Sequence, residues 1–397
     1  MPKLKCDVLI VGAGASGSTI SLLLSKMGYD IITIDKVSKI GGFTNPRIDI
    51  TESQLPFGKI DGILRKLCVK PFKRVKISNW NSLNESFTFK SNVYDYYFKR
   101  GPSKDSLDCQ IMKKAKDEGC NFIKGSKLIK FTFKNKKIRE VTIKKEGRKL
   151  KLSPSIVVGA DGSFSQCRKL AKIKEVESHL FEGFGALIKG KILDKTTILF
   201  NSLFAPGGYI YCGSVKNQSI LTIIIDKEIT DKNSQELFFK NKRDNPMFKK
   251  LLQDKKILNY FGGKVKYGIL NNVTKGNLIL VGEAGLFIDP LFGYGLNYAI
   301  FSAFKGARII NEALENDEDL SLFEKFYIQQ VIPYLKSAIK NRKVFRKLNN
   351  KDFDFIIKSL SLIANETNLK DFLKALRTIF PSFNALKILF LFSQIFR

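Results

Sequence analysis

Three glycines and one aspartate near the amino terminus have the types and spacing needed to bind a phosphorylated ligand. Gly12, Gly14 and Gly17 follow an apolar run that begins at Cys6, and Asp35 closes a second apolar run. Gly12 permits a tight turn, Gly14 lets the backbone approach a pyrophosphate, and Gly17 lets the next helix pack closely on the strand. Asp35 is spaced to accept a hydrogen bond from a ribose hydroxyl. These residues predict a dinucleotide site; a glycine-rich turn without a ligand is the alternative.

The elements that must hold these residues are a buried strand, a helix and a second buried strand. The apolar runs 6–11 and 31–34 are typical of parallel strands, and 18–27 has helical character. A helix that begins after the glycine turn directs free N–H groups and the positive end of its dipole at a phosphate. We include Ala15, which lies within the turn, among the predicted ligand-binding residues.

Two later segments repeat the pattern of a short apolar strand followed by glycine and an acid. In the first, a strand over 156–158 enters the sequence GADG, which contains Asp161, and Ser165 and Arg168 open a helix. In the second, a strand over 278–281 is followed by two glycine turns and a helix. The site residues predicted in this second segment are Gly282, Glu283, Pro290, Gly293, Gly295 and Leu296.

The three segments together resemble the three FAD signatures of the p-hydroxybenzoate hydroxylase-like flavoproteins. The resemblance implies an α/β fold with a Rossmann-like domain and bound FAD. We expect the FAD to be non-covalent because no His or Cys lies beside the motifs in a recognised flavinylation pattern. It implies that Glu283, where aspartate is usual, holds the ribityl chain or ribose. It also implies that the turn before the last helix directs its N–H groups at the flavin N1/O2 edge, where a helix amino terminus stabilises negative charge.

Arg100 lies in a segment, 95–119, that is similar to the R…FD..L…A…G pattern of these flavoproteins. The resemblance implies that Arg100 lies near the flavin. The alternative is a solvated surface charge, which is the usual state of an isolated arginine.

Other details resemble the geranylgeranyl reductase branch, which includes the archaeal digeranylgeranylglycerophospholipid reductases. Tyr209 matches a G-Y-x-W-x-F-P-like motif and Tyr211 stands for its tryptophan, whereas 212–214 departs from it. In that branch the aromatic residues line the isoprenoid cavity, so Tyr209 and Tyr211 are candidate cavity residues. The implied reaction saturates C=C bonds of geranylgeranyl chains in membrane ether lipids or their precursors, with a hydride from flavin N5 and a proton to the other carbon.

The chain departs from this branch in the segment 41–51, which contains no cysteine and has Ile48 near the expected position. The departure leaves open an altered substrate or a lost activity. The proton donor is also open between His179, a buried tyrosine and a bound water, so no catalytic residue is assigned. An FAD-dependent monooxygenase and a non-catalytic flavoprotein or lipid-binding protein remain alternatives, and the electron donor is either NAD(P)H or ferredoxin.

Composition narrows the function classes further. The net charge of +31 favours an anionic partner, or it reflects a general bias of the composition toward lysine. The sequence has none of the spacings of a nucleic-acid-binding module, so we expect no nucleic-acid partner. A single histidine excludes a His triad and a multi-His metal site, and we expect no metal. Six cysteines without CxxC spacing favour reduced thiols in a cytoplasmic protein.

Two C-terminal segments suggest peripheral contact with the inner face of the cell membrane. Leu335–Asn350 carries six basic residues and no acid, and Ala385–Phe396 is strongly apolar but too short to span a bilayer. A cap helix with a solvated basic face is the alternative.

We expect an α/β protein in which the cofactor domain is discontinuous, a β-sheet substrate domain is inserted, and the C-terminal region is helical. The predicted boundaries are 1–50, 95–175 and 270–315 for the FAD-binding domain, 51–94 and 176–269 for the substrate-binding sheet domain, and 316–397 for the helical region.

Overall fold

The structure is a computed structural model that describes residues 4–40 and 45–364 of the 397. The strands are β1 (Leu4–Val11), β2 (Ile31–Asp35), β3 (Arg47–Glu52), β4 (Gln54–Leu55), β5 (Gly58–Lys59), β6 (Lys73–Asn81), β7 (Ser86–Arg100), β8 (Asn121–Lys124), β9 (Ser126–Lys134), β10 (Lys137–Lys145), β11 (Arg148–Gly159), β12 (Glu175–Lys189), β13 (Thr196–Leu199), β14 (Tyr209–Val215), β15 (Gln218–Asp226), β16 (Ile257–Leu270), β17 (Thr274–Lys275) and β18 (Leu278–Leu280). The helices are α1 (Ala15–Ser25), α2 (Asp61–Lys66), α3 (Leu107–Asp117), α4 (Gln166–Leu170), α5 (Ser234–Asp244), α6 (Pro246–Leu252), α7 (Leu296–Glu315), α8 (Ser321–Phe326), α9 (Ile332–Phe345) and α10 (Asn350–Ala364). A 3-10 turn spans Gly282–Gly285, and a π-helical turn spans Tyr327–Val331.

The chain divides into two compact units. Unit 1 comprises Met1–Lys73, Tyr96–Phe181 and Lys264–Ile339, and unit 2 comprises Arg74–Asp95, Glu182–Gly263 and Lys340–Arg397. These units divide the chain at different residues from the functional domains expected from the sequence, since 51–73 lies in unit 1 and the C-terminal helices are shared. The functional division stays a prediction.

Unit 1 is built on a sheet of order β17-β18-β11-β1-β2-β8. Strand β1 runs parallel to β2 and β11, which in turn run parallel to β8 and β18. The antiparallel pair β9–β10 is attached to β11. The chain therefore builds outward from β1 on one side and then returns to add β11 on the other, which is the order of a Rossmann-like domain. The predicted α/β class is confirmed.

The registers of the central strands explain why distant motifs meet. Val11 at the end of β1 lies beside Gly159 at the end of β11 and beside Ile34 on β2. Gly159 also lies beside Leu280 at the end of β18. Because parallel strands in register finish at one edge, the three glycine-containing loops that follow them leave from the same place. Ligands bind at this carboxyl edge in open α/β sheets, where the strand order reverses.

Unit 2 contains a sheet of order β16-β12-β15-β14-β13-β6-β7. Helices α5 and α6 cover one of its faces through a buried apolar cluster. Members of this cluster on the strands alternate with residues on the opposite face, as the two-residue period of a strand requires. The cluster includes Ile188, Ile210, Cys212, Leu221, Ile223, Leu237, Phe238 and Phe248.

The helical character expected from about residue 316 is present through Ala364, where the described residues end. On and just after α9, four lysines are exposed, whereas Arg342 is buried and Arg346 is half-buried. Arg342 donates to Asp226 at 3.0 Å, so its charge belongs to the interior of unit 2. The exposed lysines are Lys336, Lys340, Lys343 and Lys347. The apolar segment Ala385–Phe396 lies outside the described residues. No helix within 4–40 and 45–364 has the length and apolar character needed to cross a membrane.

Candidate functional site

The first glycine turn is closed by contacts that only glycine allows. Gly12 has φ +106°, and a Cβ there would lie 2.3 Å from the carbonyl oxygen of Ala160. A Cβ on Gly17 would lie 1.8 Å from the carbonyl oxygen of Gly12. Side chains at these two positions would push α1 away from β1 and the turn away from the second motif. The role expected for Gly17 in close packing is thus visible in the geometry.

Gly14 differs from its two neighbours because a Cβ there would meet nothing within 4 Å. It is also the N-cap residue of α1, and no side chain caps this helix. Ala15 begins the helix. An open space thus faces the N–H groups of an 11-residue helix, where the dipole favours an anion. A pyrophosphate fits this cradle, and a side chain on Gly14 would occupy it.

Asp35 lies at the end of β2 beside the same turn. Its carboxylate accepts hydrogen bonds from Ala13 N at 2.7 Å and from Val37 N at 2.9 Å. Two backbone amides therefore fix its orientation at the carboxyl edge of the sheet. Each carboxylate oxygen has a second lone pair, so Asp35 retains the capacity to accept from a ligand hydroxyl.

The acid of the second motif has a local structural role. Asp161 accepts from Ser165 Oγ at 2.6 Å, Gln166 N at 2.7 Å and Cys167 N at 3.0 Å. These donors lie at the start of α4, so the carboxylate satisfies amides that have no partner within the helix. The cofactor contact expected for Asp161 stays a prediction.

Arg168 connects the second motif to the third and was not singled out by the sequence as a site residue. Its guanidinium donates to the carbonyl oxygens of Ser163 and Ala284, at 2.6 Å and 2.7 Å, and to Glu175 Oε1 at 2.8 Å. Arg168 is 4% exposed. The signal that was available is its position two residues after the start of a short helix next to the glycine motif.

The third motif packs directly on the first. Gly282 has φ +58°, and a Cβ there would lie 2.6 Å from Ser16 Oγ on α1. Glu283, the next residue, accepts a hydrogen bond from Ser163 Oγ at 2.7 Å. The first, second and third motifs therefore meet within unit 1, although they lie far apart in the chain.

The turn before α7 is organised by Asp289, which the sequence did not single out. Its carboxylate accepts from Phe292 N at 2.6 Å and from the hydroxyl of Tyr334 at 2.7 Å. Gly293 N donates to the Asp289 carbonyl at 2.9 Å, and Gly293 has φ +75°. Pro290 within this turn is buried. The position of an acid just before a proline is typical of a turn, and this was the signal available.

Helix α7 begins beside Glu283 without a side-chain cap. Gly295 is its N-cap residue and Leu296 its first residue. A Cβ on Gly295 would lie 3.6 Å from Glu283 Oε1. The site thus contains two helix amino termini, those of α1 and α7, whose N-cap residues are glycines without a capping side chain. In α7 the N–H of Asn297 donates to Thr51 Oγ1 at 3.0 Å and that of Tyr298 donates to Asn297 Oδ1 at 2.9 Å.

Arg100 is 6% exposed, so the alternative of a solvated surface charge is wrong. Its Nε and Nη2 donate to the two carboxylate oxygens of Asp108 at 2.6 Å and 2.9 Å, and its Nη1 donates to Asp49 at 2.8 Å. Burial alone would lower the pKa of Arg100, but Asp108 and Asp49 outweigh it and raise this pKa, with a smaller contribution from Glu283. The cation is therefore permanent, and Glu283 lies within its field.

Asp49 joins Arg100 to the segment that replaces the expected cysteine. Burial raises the pKa of Asp49, but Arg47 and Arg100 outweigh burial and the net shift is downward. Arg47 Nε lies 2.8 Å from Asp49 Oδ1. Between them Ile48 is buried on β3. An ion-pair network therefore surrounds this position, and all six cysteines of the chain are free thiols.

His179 lies on β12 and forms a hydrogen bond with a residue of the same strand. Its Nε2 lies 3.0 Å from Glu177 Oε1, and its ring centre lies 5.2 Å from that of Tyr267. The Phe181 ring also stacks on Tyr267, with the two ring centres 4.3 Å apart. A Cβ on Gly293 would lie 3.3 Å from Phe181, so this aromatic group adjoins the turn before α7. The identity of the proton donor stays open.

Tyr209 and Tyr211 are buried on β14 in unit 2, at 3% and 5% exposure. They alternate with Ile210 and Cys212, which pack toward α5 and α6, so the two tyrosines lie on the opposite face of the sheet. The Phe200 ring centre lies 6.5 Å from that of Tyr209. Further rings around Phe200 belong to Trp80, Phe345 and Phe353. This face is rich in aromatic side chains.

A Rossmann-like sheet with three converging glycine loops defines a dinucleotide-binding protein. Residues 85–329 match the family model described as FAD binding domain, which is more than half of the chain, and the chain belongs to this family. Residues 10–54 match the model of an NAD(P)-binding Rossmann-like domain. The prediction of FAD is confirmed, and the protein is an FAD-dependent oxidoreductase.

Relatives and solved structures confirm the resemblance to geranylgeranyl reductases. The digeranylgeranylglycerophospholipid reductase of Methanocaldococcus jannaschii is 22% identical, covering 95% of this chain and 96% of its own. A solved geranylgeranyl bacteriochlorophyll reductase-like protein from Thermoplasma acidophilum has a TM-score of 0.79 and 20% identity, covering 98% of this chain and 99% of its own. PqsL, a probable FAD-dependent monooxygenase from Pseudomonas aeruginosa, has a TM-score of 0.64 and 17% identity, covering 88% and 98%.

Proposed function

We propose that this protein is a reductase that saturates C=C bonds of isoprenoid, geranylgeranyl-type chains in membrane ether lipids or their precursors. The observation that carries the proposal is the buried aromatic face of unit 2, where Tyr209 and Tyr211 alternate with core residues. An apolar chain needs such a wall because it has no hydrogen bonds to offer. The full-length relative named as a digeranylgeranylglycerophospholipid reductase supports the same substrate class.

We propose cofactor-binding roles that the geometry of unit 1 supports. The open space at Gly14 and the first turn of α1 accept the pyrophosphate, and Asp35 accepts from the adenosine ribose. Glu283, oriented by Ser163, binds the ribityl chain or ribose. The amino terminus of α7 would face the flavin ring system, where its dipole would stabilise negative charge. When bound and reduced, FAD supplies a hydride to one carbon of the double bond.

Two tyrosines, Tyr298 and Tyr334, lie near the turn before α7. Burial raises the pKa of Tyr298 and that of Tyr334 well above the ordinary value for tyrosine. Both phenols therefore keep their protons at neutral pH. The Tyr334 proton is engaged by Asp289, so Tyr334 positions the turn. The proton that completes the reduction comes from a donor that we leave unassigned.

The test is anaerobic turnover with chemically reduced enzyme. Purified protein reconstituted with FAD is mixed with a detergent-dispersed geranylgeranyl ether lipid, and the products are analysed by mass spectrometry. We expect the addition of one H₂ for each double bond reduced. Oxidation of the flavin without a saturated product would overturn the proposal. Supplying NAD(P)H or reduced ferredoxin to the oxidised enzyme then identifies the electron donor.

A monooxygenase of the same fold is the second candidate, favoured by the structural likeness to PqsL. It requires O₂ consumption coupled to a hydroxylated product, which the same assay run in air detects. A non-catalytic flavoprotein or lipid carrier is the third candidate, suggested by the absence of the expected cysteine. It predicts a reducible flavin and bound lipid without turnover.

An enzyme with this substrate must reach chains that are insoluble in water, so we propose reversible contact with the inner face of the cell membrane. The four exposed lysines of α9 and its end are one candidate for such contact. The cytoplasmic location belongs to the same proposal.

A further inference from the structure

The exposed face of the three-stranded segment β9–β10–β11 carries lysines in cross-strand register. Lys127 and Lys149 both lie directly beside Lys144 on the central strand. Lys130 and Lys151 both lie beside Thr142, two residues along. Residues paired in register share a face, and all of these lysines are exposed. We call this set the lysine face; it comprises Lys127, Lys130, Lys144, Lys149 and Lys151.

The charge of this segment exceeds what a general lysine bias produces. Residues 126–151 hold eleven Lys and Arg and two Glu, a net charge of +9. With +31 spread evenly over 397 residues, a segment of this length would carry about +2. The excess is therefore local. Lys151 Nζ lies 3.1 Å from Glu140 Oε1, so Glu140 offsets one of the five charges of the lysine face.

The lysine face lowers the stability of the isolated protein, and tight turns and a buried opposite side fix its backbone. Like charges directly opposite one another on neighbouring strands destabilise a sheet. The two connecting turns have positive φ at their central residues, at Asn135 and Lys136 and at Glu146 and Gly147, which matches tight hairpins. The opposite side of the segment is buried, through Leu128, Phe131, Val141, Ile143 and Leu152. A preformed, repelling array of cations indicates an anionic partner.

The chemistry of the lysine face favours a diffuse anionic surface over other partners. Its five members are lysines, with Arg139 and Arg148 exposed elsewhere on the same strands, whereas planar, bidentate recognition of nucleic-acid phosphates favours arginine. It presents no aromatic ring in its registered rows for base stacking. Lys151 also lies eight residues before Gly159 on β11, a distance of about 26 Å along an extended strand. That distance from the cofactor edge disfavours an electron-donor protein docked there.

We infer that the lysine face docks the protein on an anionic phospholipid bilayer. The inference rests on the proposed function, because a lipid substrate gives the protein a reason to reach a membrane. It assigns the main contact to β9–β10–β11, whereas the sequence pointed to the basic stretch 335–350. Attraction of this kind is reversible and weakens as salt screens it.

The experiment is vesicle co-sedimentation of the full-length protein loaded with FAD. Vesicles of phosphatidylcholine alone are compared with vesicles containing phosphatidylglycerol, at low and high salt. We expect binding to the anionic vesicles at low salt and its loss at high salt. The triple variant Lys127→Gln, Lys144→Gln and Lys149→Gln should bind about a hundredfold more weakly. Each lysine near an anionic surface contributes a similar part of the binding free energy, and this variant removes three of them.

A matched triple variant keeps the test specific. Lys336→Gln, Lys340→Gln and Lys343→Gln removes the same charge from α9 and should bind like the unaltered protein. Normal vesicle binding by the lysine-face variant would overturn the inference, and so would loss of binding by the α9 variant alone. It is also overturned if a DNA duplex, at equal salt, displaces the protein from the vesicles at a lower concentration than soluble phosphatidylglycerol does.

Turnover of detergent-dispersed lipid separates this inference from the proposed function. The lysine-face variant should keep full turnover in detergent and its full FAD content. Loss of vesicle binding with turnover retained supports the docking surface. Absence of turnover in the unaltered protein, with vesicle binding still dependent on the lysine face, overturns the proposed function and leaves the surface assigned.

Discussion

Ser163 donates its hydroxyl hydrogen to Glu283 Oε2 at 2.7 Å, across 120 residues of sequence. The Ser163 oxygen in turn accepts from Lys266 N at 3.2 Å. Ser163 is 4% exposed, whereas Glu283 is half-buried. The carboxylate of the third motif is therefore oriented by the residue that follows the second motif.

Replacing Ser163 with alanine should weaken FAD binding because Glu283 would lose the donor that orients it. A hydrogen bond to a charged group contributes about 1.5 to 3 kcal/mol, so the dissociation constant of FAD should rise roughly tenfold or more. Quenching of flavin fluorescence during titration of the apoprotein measures it. Ser153→Ala, which removes a hydroxyl on β11 that bonds to Arg139, is the control. An unchanged constant for Ser163→Ala would show that Glu283 does not touch the cofactor.

Gly14→Val should abolish flavin retention without unfolding the protein. A Cβ at Gly14 meets no protein atom within 4 Å, so the fold tolerates it, but the added methyls fill the pyrophosphate cradle. Gly263→Val is the matched control because a Cβ there also meets nothing within 4 Å. The ratio of absorbance at 450 nm to that at 280 nm reports bound flavin. Equal flavin content in both variants would contradict the placement of the pyrophosphate.

The buried ion pair of unit 2 should be needed for stability as a pair. Arg342 is 1% exposed and Asp226 is fully buried, with Nε and Oδ2 at 3.0 Å, and Arg342 also donates to the carbonyl of Gly207. Arg342→Met leaves a buried carboxylate without its cation, and the free energy of unfolding should fall by about 3–5 kcal/mol.

Urea unfolding measures this effect, with Lys343→Met on the exposed side of α9 as the control. The double variant Arg342→Met with Asp226→Asn should recover part of the loss, since no unpaired charge is then buried. A single variant as stable as the control would mean that water reaches Asp226.

Asp95 should make unit 2 less stable as the pH rises through the mildly acidic range. Burial raises the pKa of Asp95 from 3.8 to about 6, against a smaller opposing effect of the hydrogen bond from Ser78. Between these values the unfolded carboxyl is ionised while the folded one holds a proton, so the free energy of unfolding falls as pH increases.

The difference in unfolding free energy between the protein and its Asp95→Asn variant isolates this group. Relative to the variant, the unaltered protein should lose stability from pH 4 to pH 6 and stay constant above that range. A difference that does not vary with pH would mean that the Asp95 carboxyl titrates normally.

The sequence by itself determined the local parts of the site. Gly12 requires a positive φ, and Gly17 must lack a side chain because a backbone oxygen lies where its Cβ would be. Such constraints arise from a few neighbouring residues and from hard-sphere sterics. They therefore fix the spacing of the glycines, which can be recognised in the sequence. The alternation of strand, glycine turn and helix was readable for the same reason, and FAD was inferred from the resemblance of the three motifs to those of known flavoproteins.

The tertiary structure decided which side chains meet and which are buried. The resemblance placed Arg100 near the flavin and left a solvated charge as the alternative, and only the packing of Asp49 and Asp108 around it makes it a permanent buried cation. Arg342 likewise belongs to a basic stretch, yet its partner is Asp226, 116 residues away. The partner of a charge is chosen by long-range packing and by the cost of leaving an ion buried alone, and neither leaves a local pattern in the chain.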